Sequence, residues 1–460
     1  MKHLLFLSLL LVAGCSKMEV ASVSKVPNPP NNILFRDVSV FDGSNMLRHQ
    51  DVLIAGRMIT FVAPTGTNPL PEDEDVVQID GTGKTLLPGL IDAHIHVFSA
   101  GEKDILPPEP ETIGGALLYA GITTALITAD PGDATKLALA SRKGTTLAPH
   151  LYTSGPGLTA PGGHPIPLLK AMLPWPIRYF AVRSVFTAAD AEEARRKTQQ
   201  IIAEFQPEFL KIIYDDLPPG APHLSSQSMK AAIAEAKQIG VRPIVHATTT
   251  SDAVKAAEAG AALLVHIPQR GILDDDQIAR LGATKVPVVT TVNLITASRD
   301  LAKRGPTELE NSMVDPRVLS IWQKEPAWDL PGFSDEIDQI YAKVAKETRT
   351  NFQKLLAAGV PLLIGTDSGV HGVFPGSSLH RELETAVNLG MPPLDALKAV
   401  TSIPASFLDP EETFGYIRPG QRADMLLVQG DPSSDITALS KIEKVFLEGV
   451  EIKRQALGSF

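Results

Sequence analysis

Two histidines, His94 and His96, end the apolar run LLPGLIDAHIHVF. Because they are two positions apart, an extended strand points both imidazoles to the same side, about 6–7 Å apart along the strand. A pair with this spacing can bind one metal ion. Four other polar residues lie within or at the ends of later apolar runs, namely Lys211, His246, His266 and Asp367.

Taken singly, each of these residues has a simpler explanation. A lone histidine at a strand end is usually a satisfied polar residue, and Asp367 could cap the helix or turn that follows it. Lys211 could be an ion-pair partner or keep its ammonium in water, since a lone buried ammonium is costly. Taken together, four histidines and an aspartate at strand ends form an N/O ligand set that suits zinc or a similar divalent ion.

The elements that position these residues alternate between two patterns. Apolar, β-branched runs are separated by stretches with apolar spacing of three and four, which is typical of helices. Two examples of such helices are Ser225–Gly240 and Asp335–Gly359. The apolar runs cover residues 89–96, 123–130, 149–155, 209–216, 242–248, 262–268, 287–293 and 361–368.

This alternation predicts an α/β fold, a (β/α)8 TIM barrel over residues 85–410, with a doubly wound open sheet as the alternative. Chemistry in such barrels gathers at the carboxyl ends of the strands, where the candidate ligands lie. Short β-prone runs flank this region at residues 33–84 and 411–460. We expect these two halves to pair into one small β-sandwich domain.

The N-terminal sequence MKHLLFLSLLLVAGC predicts a secretory signal over residues 1–14, which is too short to span a bilayer. Its ending resembles the lipobox of bacterial lipoproteins, which implies a lipid on Cys15. A plain signal peptide is the alternative. Residues 15–32 are expected to be a flexible tether, and Ser16 favours an outer-membrane lipoprotein that faces the periplasm. The formal net charge of −10 without a basic stripe argues against a nucleic-acid partner.

Several motifs resemble the amidohydrolase superfamily. PGLIDAHIHVF is similar to its first-strand signature and LIGTDSG to its last-strand aspartate motif. The segments SLHRELETAVNLGMPPLDALKAVTSIPASFL and GYIRPGQRADMLLV resemble its imidazolonepropionase-like and prolidase-like branch. The resemblance extends over nearly all of Ile33 to Ile452 and implies a metal-dependent hydrolase of amide-type C–N bonds.

The resemblance also implies roles for individual residues. One divalent ion, with zinc expected, would be bound by His94, His96 and Asp367, and a second by His246 and His266. Lys211, carboxylated by carbon dioxide, would bridge the two ions. Asp367 would act as general base and acid for a metal-activated hydroxide.

Other residues are candidates for substrate contact. His164 follows the third strand in a Gly-Gly-His loop, where a surface turn is the alternative. Tyr214 matches a tyrosine that contacts substrate in related dipeptidases, although strand alternation from Lys211 would point it to the opposite face. His371 could reach in from the loop after the last strand. We expect Trp175 to pack a lid, and His380 and Glu382 to act through helix-start electrostatics or to support the ligands.

The expected substrate is a dipeptide or an N-acyl amino acid. A cyclic amide hydrolase, a deaminase and a non-catalytic solute-binding lipoprotein are the alternatives. The Thr-rich sequence VHATTTSDAV departs from many dipeptidase-like sequences, so a dipeptide substrate does not follow from the resemblance alone. The sequence is compatible with a homo-oligomer and does not give the oligomeric state.

Overall fold

The computed structural model describes residues 17–67, 76–102, 105, 107–130, 132–173, 175, 177–324, 337–411 and 413–458. The predicted signal and Cys15 lie outside these residues. Among the described helices, none is both long and apolar enough to cross a membrane.

The described strands are β1 Ser22–Lys25, β2 Asn32–Phe41, β3 Met46–Ala55, β4 Met58–Pro64, β5 Val76–Asp80, β6 Lys84–Pro88, β7 Leu90–Ile95, β8 Ile122–Ile127, β9 His150–Thr153, β10 Leu158–Thr159, β11 Phe186–Thr187, β12 Phe209–Ile213, β13 Arg242–His246, β14 Leu263–Leu264, β15 Val288–Val289, β16 Leu362–Leu363, β17 Met425–Gln429, β18 Ile442–Leu447 and β19 Val450–Gln455. The described helices are α1 Pro110–Tyr119, α2 Gly132–Arg142, α3 Ile166–Met172, α4 Ile177–Arg183, α5 Ala191–Phe205, α6 Ser226–Ile239, α7 Thr250–Glu258, α8 Asp275–Thr284, α9 Ala297–Arg304, α10 Glu308–Met313, α11 Pro316–Lys324, α12 Ile337–Ala357, α13 Ser377–Asn388, α14 Pro393–Ala399 and α15 Ser402–Leu408, with a 3₁₀ helix at Ile436–Ser440.

The two ends of the chain pair in one β-sheet. β6 pairs with β17, and the strand order is β1-β19-β18-β17-β6-β2-β3-β4, with β5 beside β2. The sequence predicts a sandwich, whereas strand pairing connects all nine strands into one mixed sheet. The sheet encloses an apolar core that includes Phe35, Val52, Met425 and Phe446. Because β6 belongs to this sheet, the parallel region begins near Gly89 rather than at residue 85.

The described part of the predicted tether is packed against the body. β1 pairs antiparallel with β19, and Val20 forms a bridge with Val314. Met18 and Ala21 are buried. The prediction of a flexible tether is therefore wrong for this part, because its apolar side chains are buried and its backbone pairs with a sheet edge.

The central region consists of parallel strands connected by helices. Each predicted apolar run contains a strand, from β7 to β16, which confirms the parallel α/β architecture. β7-β8-β9 form one sheet, and β11-β10-β12-β13-β14-β15-β16 form another. The two-residue strands β10 and β11 were not predicted, because neither lies in one of the eight apolar runs.

Backbone hydrogen bonds join the first and last of these strands. The amide of Ala93 donates to Ile364 O at 3.1 Å, and that of Asp367 to His94 O at 2.8 Å. At the other seam, the amide of Glu208 donates to Thr153 O at 3.1 Å. Strand pairing within the described residues does not close the two sheets into the continuous barrel that the sequence predicts.

Helix ends follow local sequence signals. The Ser225 side chain accepts a hydrogen bond from the Ser228 amide, and Gly240 ends α6 with φ of +88°. These are the start and stop signals of the predicted helix. α12 lies within the other predicted helix, Asp335–Gly359. Both helices are therefore confirmed.

Candidate metal centre

Of the two histidines of the opening motif, His94 lies in β7 and His96 directly follows its last residue, Ile95. Ile91 and Ala93 face the interior of the parallel region, so strict alternation would point His94 outward. The pairing of β7 with β8 shifts register between Asp92 and Ile95, and an irregularity of this kind re-aims the side chains that follow. The ring of His94 lies 4.9 Å from that of His266, centroid to centroid.

Several predicted ligands converge at the carboxyl ends of the strands. The Nε2 atoms of His94 and His96 each lie 3.0 Å from Asp367 Oδ1. Ligand atoms of His94, His266 and Asp367 all lie within 4.8 Å of one another. The ring of His246 is 4.5 Å from that of His266. Residues distant in sequence therefore form one cluster.

Lys211 lies on the inner side of β12. Its neighbour Phe209 belongs to the interior cluster, whereas Leu210 and Ile212 pack on the helix side. Strand alternation therefore points the Lys211 side chain inward, and Lys211 is only 2% exposed. Burial lowers the pKa of Lys211 to about 7, although Asp367 and Asp130 act to raise it.

The donor atoms of the cluster fit a divalent cation. Asp367 Oδ1 and His94 Nδ1 are buried without a hydrogen-bond partner. Asp367 Oδ1 is close to two imidazole nitrogens, yet no aligned N–H reaches it. Buried polar atoms without partners are rare and often mark an ion or water site. Imidazole nitrogens with a carboxylate are ligands that zinc prefers.

Three of the predicted ligands, His94, His266 and Asp367, have the protonation states that a metal requires. Burial, with a smaller effect of Lys211, lowers the pKa of His94 to about 3. Burial and the neighbouring His246 lower the pKa of His266 well below its ordinary value. Burial acts to raise the pKa of Asp367, but His94 and His96 outweigh it and hold that pKa well below its ordinary value. His94 and His266 thus offer neutral imidazoles and Asp367 an ionised carboxylate. At His96, burial acts to lower the pKa, but Asp130 and Asp367 outweigh it and raise that pKa to about 9.

Two buried aspartates hold the histidine strand in place. Asp130 accepts hydrogen bonds from His96 Nδ1 at 2.6 Å and from the Val97 amide at 2.7 Å. Asp92 accepts from the His94 amide at 3.2 Å and from Thr366 Oγ1 at 2.8 Å. Sequence reasoning missed both. The available signal was an acidic residue inside or at the end of a fully apolar run.

A third buried aspartate, Asp215, lies beside His246. Its Oδ2 is 3.5 Å from His246 Nε2, and Arg270 donates to its Oδ1 at 2.9 Å. Burial acts to raise the pKa of Asp215, but His246 and Arg270 outweigh it and hold that pKa well below its ordinary value. Neither Asp215 nor Arg270 is among the site residues that the sequence predicts.

Of the predicted substrate contacts, the structure brings His164 to the cluster. Its ring stacks on that of His246 at 4.9 Å and 23°. His164 Nδ1 is buried without a hydrogen-bond partner. Burial, followed by His246, lowers its pKa to about 3. A neutral imidazole with a free ring nitrogen therefore lies next to the predicted ligands.

Tyr214 is not brought to the cluster. Its ring packs 4.5 Å from that of His223 and belongs to the core between sheet and helices. The prediction of a substrate contact is wrong because alternation from Lys211 turns Tyr214 to the outer face. His371 lies beside Trp322, with ring centroids 5.7 Å apart. Trp175 is 74% exposed and does not pack a lid as predicted.

His380 and Glu382, at the start of α13, contact backbone. His380 Nε2 lies 2.9 Å from Ala120 O. Glu382 accepts from the amides of Val292 at 2.7 Å and Asn293 at 3.0 Å. Glu382 thus supports the loop after β15, which provides Thr291 as the hydrogen-bond partner of His266 Nδ1 at 2.9 Å.

Backbone strain accompanies these strand ends. Asp367 has φ of +60°, Thr291 of +43° and Ala129, just before Asp130, of +57°. Residues with side chains rarely adopt this region, and such strain concentrates at functional sites.

Residues 85–452 match the sequence profile of the Amidohydrolase family. Ochratoxinase of Aspergillus niger is 23% identical over 448 residues, which cover 90% of this chain and 84% of that protein. Imidazolonepropionase of Salinispora arenicola is 28% identical over 432 residues, which cover 89% of this chain and 91% of that protein. The crystal structure of a Xaa-Pro dipeptidase with bound methionine superposes with a TM-score of 0.73 at 21% identity, over 91% of this chain and 99% of that chain, which shows the shared fold.

Proposed function

The chain belongs to the amidohydrolase family, and from this premise we propose that it hydrolyses the amide bond of a dipeptide or an N-acyl amino acid. It is a metal-dependent hydrolase that acts on C–N bonds. The observation that carries the proposal is the approach of His94 Nε2 and His96 Nε2 to Asp367 Oδ1, both at 3.0 Å.

Names of the compared proteins support the choice of substrate. The Xaa-Pro dipeptidase and the prolidase with N-methylphosphonate-L-proline are named for dipeptide chemistry. A cyclic amide is the second candidate, because imidazolonepropionase is 28% identical over most of this chain. The neutral His164 beside His246 would contact a substrate carbonyl in either case.

Two divalent ions, with zinc expected, complete the proposed centre. The residues that would hold them are His94, His96, Lys211, His246, His266 and Asp367. We propose that Lys211 is carboxylated: its neutral amine adds to carbon dioxide and loses a proton, which gives a carbamate. Burial favours the neutral amine that this reaction needs. The product is an anionic oxygen ligand, the type that divalent ions bind.

Asp367 provides the proton transfers. A bound divalent cation supplies Lewis-acid chemistry, since it polarises a carbonyl and acidifies water. The Asp367 carboxylate accepts the proton of the attacking water and returns it to the leaving nitrogen, so that one amide and one water give a carboxylic acid and an amine. We further propose that the two parallel sheets together make up the (β/α)8 barrel that places these groups at one rim.

We also propose that the protein is exported and anchored in the outer membrane through a lipid on Cys15. The support is the lipobox-like ending LVAGC. Cys15→Ser should move the protein from the membrane fraction to the soluble fraction or block its maturation. Unchanged acylation of that variant would reject the anchor.

Metal removal combined with a substrate panel tests the main proposal. The purified protein should contain a divalent metal, lose hydrolysis of dipeptides or N-acyl amino acids after dialysis against a chelator, and regain it with zinc. Lactams and imidazolones in the same panel distinguish the cyclic-amide alternative. A metal-free protein that hydrolyses these compounds at the same rate would contradict the proposal.

A further inference from the structure

A buried ion pair beside His246 has no role in the proposed reaction. The Asp215 side chain is fully buried just after β12. Its Oδ2 accepts from the Thr248 amide at 2.9 Å and lies 3.5 Å from His246 Nε2. Its Oδ1 accepts from Arg270 Nη2 at 2.9 Å. The carboxylate is thus held from two sides with one oxygen facing the histidine.

Arg270 fixes this carboxylate to the neighbouring loops. Its Nε donates to Thr248 Oγ1 at 3.0 Å, and its backbone amide to Thr248 O at 2.9 Å. Its guanidinium also pairs with Asp216. Asp215, Thr248 and Arg270 follow β12, β13 and β14. The candidate ligands of these three strands are Lys211 within β12, His246 at the end of β13 and His266 two residues after β14. A planar guanidinium with several donors suits such a three-loop contact.

The candidate ligand histidines differ in which ring nitrogen faces a neighbouring side chain. His96 Nδ1 is 2.6 Å from Asp130 Oδ1, and His266 Nδ1 is 2.9 Å from Thr291 Oγ1. Each of these rings therefore has Nε2 left for a cation. His246 has the opposite ring orientation. Its Nε2, rather than its Nδ1, faces a side chain, Asp215, and has no aligned hydrogen-bond partner. The nitrogen left for a cation in His246 is Nδ1.

We propose that Asp215, held by Arg270 and Thr248, is a positioning residue that keeps the proton of His246 on Nε2 and so presents Nδ1 to the metal. A carboxylate that accepts the N–H of a ligand histidine fixes its tautomer and orientation and increases the basicity of its other nitrogen. The inference rests on the proposed function, since it concerns the metal of that centre.

The test compares zinc binding by the full-length protein and its variants at buffered free-zinc concentrations, with bound metal measured after dialysis. Asp215→Asn should weaken the binding of zinc about 10–100-fold, the usual effect of removing such a partner. Arg270→Gln should weaken it less, and Arg270→Lys should regain part of the loss because it keeps the charge. Asp51→Asn is the matched control, since Asp51 is also buried and paired with an arginine, Arg36, at 2.8 Å.

A second measurement reports the tautomer of His246 and does not depend on zinc binding. In nitrogen-15 spectra of histidine-labelled protein, the signals of His246, assigned by their loss in His246→Gln, should show a proton on Nε2 and a free Nδ1. Asp215→Asn should shift the proton population toward Nδ1. If Asp215→Asn does not fold, Thr248→Val, which removes one donor to Asp215, should show the same two changes at smaller size.

The outcomes separate the two proposals. A wild-type protein that binds no divalent metal contradicts the proposed function. Wild-type zinc binding that Asp215→Asn leaves unchanged, with His246 in the same tautomer in both proteins, overturns the role of Asp215 and leaves the proposed function intact. An equal loss of zinc affinity in Asp51→Asn would also overturn it, because the effect would then follow from general destabilisation.

Discussion

Two buried aspartates in two regions of the molecule are held in opposite ways. Asp51, in the nine-stranded sheet, accepts hydrogen bonds from Arg36 Nη1 at 2.8 Å and from the Asp37 amide at 3.0 Å. Asp367, at the rim of the parallel region, has an Oδ1 without a hydrogen-bond partner and a φ of +60°. Asp51 has the partners that a stable fold needs, whereas Asp367 is held in a costly arrangement that a ligand would complete.

The same contrast extends to the surrounding residues. Around Asp51 a single charged partner and backbone amides satisfy the carboxylate, and no reactive group lies in this contact set. Around Asp367, two imidazoles and a buried lysine act on one carboxylate. Substitutions in the two regions should therefore affect different quantities, namely stability in the first and turnover in the second.

The largest effect on turnover is expected for Asp367→Asn. Loss of the group that transfers protons should lower kcat about 10²–10⁴-fold. The thermal midpoint of the metal-free variant should stay equal or rise, since a strained and unpaired buried carboxylate is removed. Steady-state kinetics and thermal unfolding measure the two quantities. A variant with reduced stability and unchanged kcat would contradict the predicted difference between Asp367 and Asp51.

Lys211→Ala should lower kcat/KM more than about 100-fold. A loss of about 100-fold is the upper end of what is expected when a residue that only orients a metal ligand is removed. Short-chain carboxylates added to this variant should restore part of the activity, because they can replace the anionic oxygens of the carbamate. The assay is hydrolysis with and without formate or acetate, with wild type as the control for general effects of these salts. A variant as active as wild type would remove Lys211 from the centre.

Asp130→Asn should reduce metal affinity or activity about 10–100-fold, because Asp130 orients His96 through Nδ1. Metal content after dialysis and kcat/KM measure this effect. Asp130 would have no role in positioning His96 if both values matched those of wild type.

Asp51→Asn should leave kcat unchanged and reduce the free energy of unfolding by about 1–3 kcal/mol, since the partners of a buried carboxylate lose their acceptor charge. The pKa of Asp51 is held below its ordinary value because the Asp37 amide and Arg36 outweigh the effect of burial. A lowered pKa in the folded state stabilises the protein at neutral pH. This contribution is lost as the pH falls below about 4, toward the folded-state pKa.

Denaturant unfolding of wild type and Asp51→Asn at several pH values checks this prediction. The difference between the two proteins should be largest near neutral pH and should shrink in acid. A difference that grows as the pH falls would contradict the assigned pKa direction.

Local pattern and chemistry were enough to predict much of the molecule. The apolar runs that contain β7 to β9 and β12 to β16 could be read from the sequence, because buried parallel strands are continuously apolar. The ends of α6 followed from Ser225 and Gly240, whose effects are local. The candidate ligands could be identified because burying a polar side chain in such a run costs free energy unless it is hydrogen-bonded or binds a metal.

Other features depend on contacts that the order of residues does not specify. The inward turn of His94 follows a register shift between β7 and β8, which arises only when the two strands pair. The partners Asp130 and Asp215 come from neighbouring strands, so their distances to His96 and His246 exist only in the folded chain. Met18 and Ala21 are buried in a segment whose polar composition predicted a free tether.

The sequence by itself determined which chemical groups are present and on which strands they lie, because residue type and period are properties of a short segment. Only the tertiary structure decided which nitrogen of each histidine faces the centre, which face Tyr214 occupies, and that the unpaired oxygen belongs to Asp367 rather than to Asp51. The physical reason is that hydrogen-bond partners and burial are set by side chains far away in the chain, which meet only after the strands have packed.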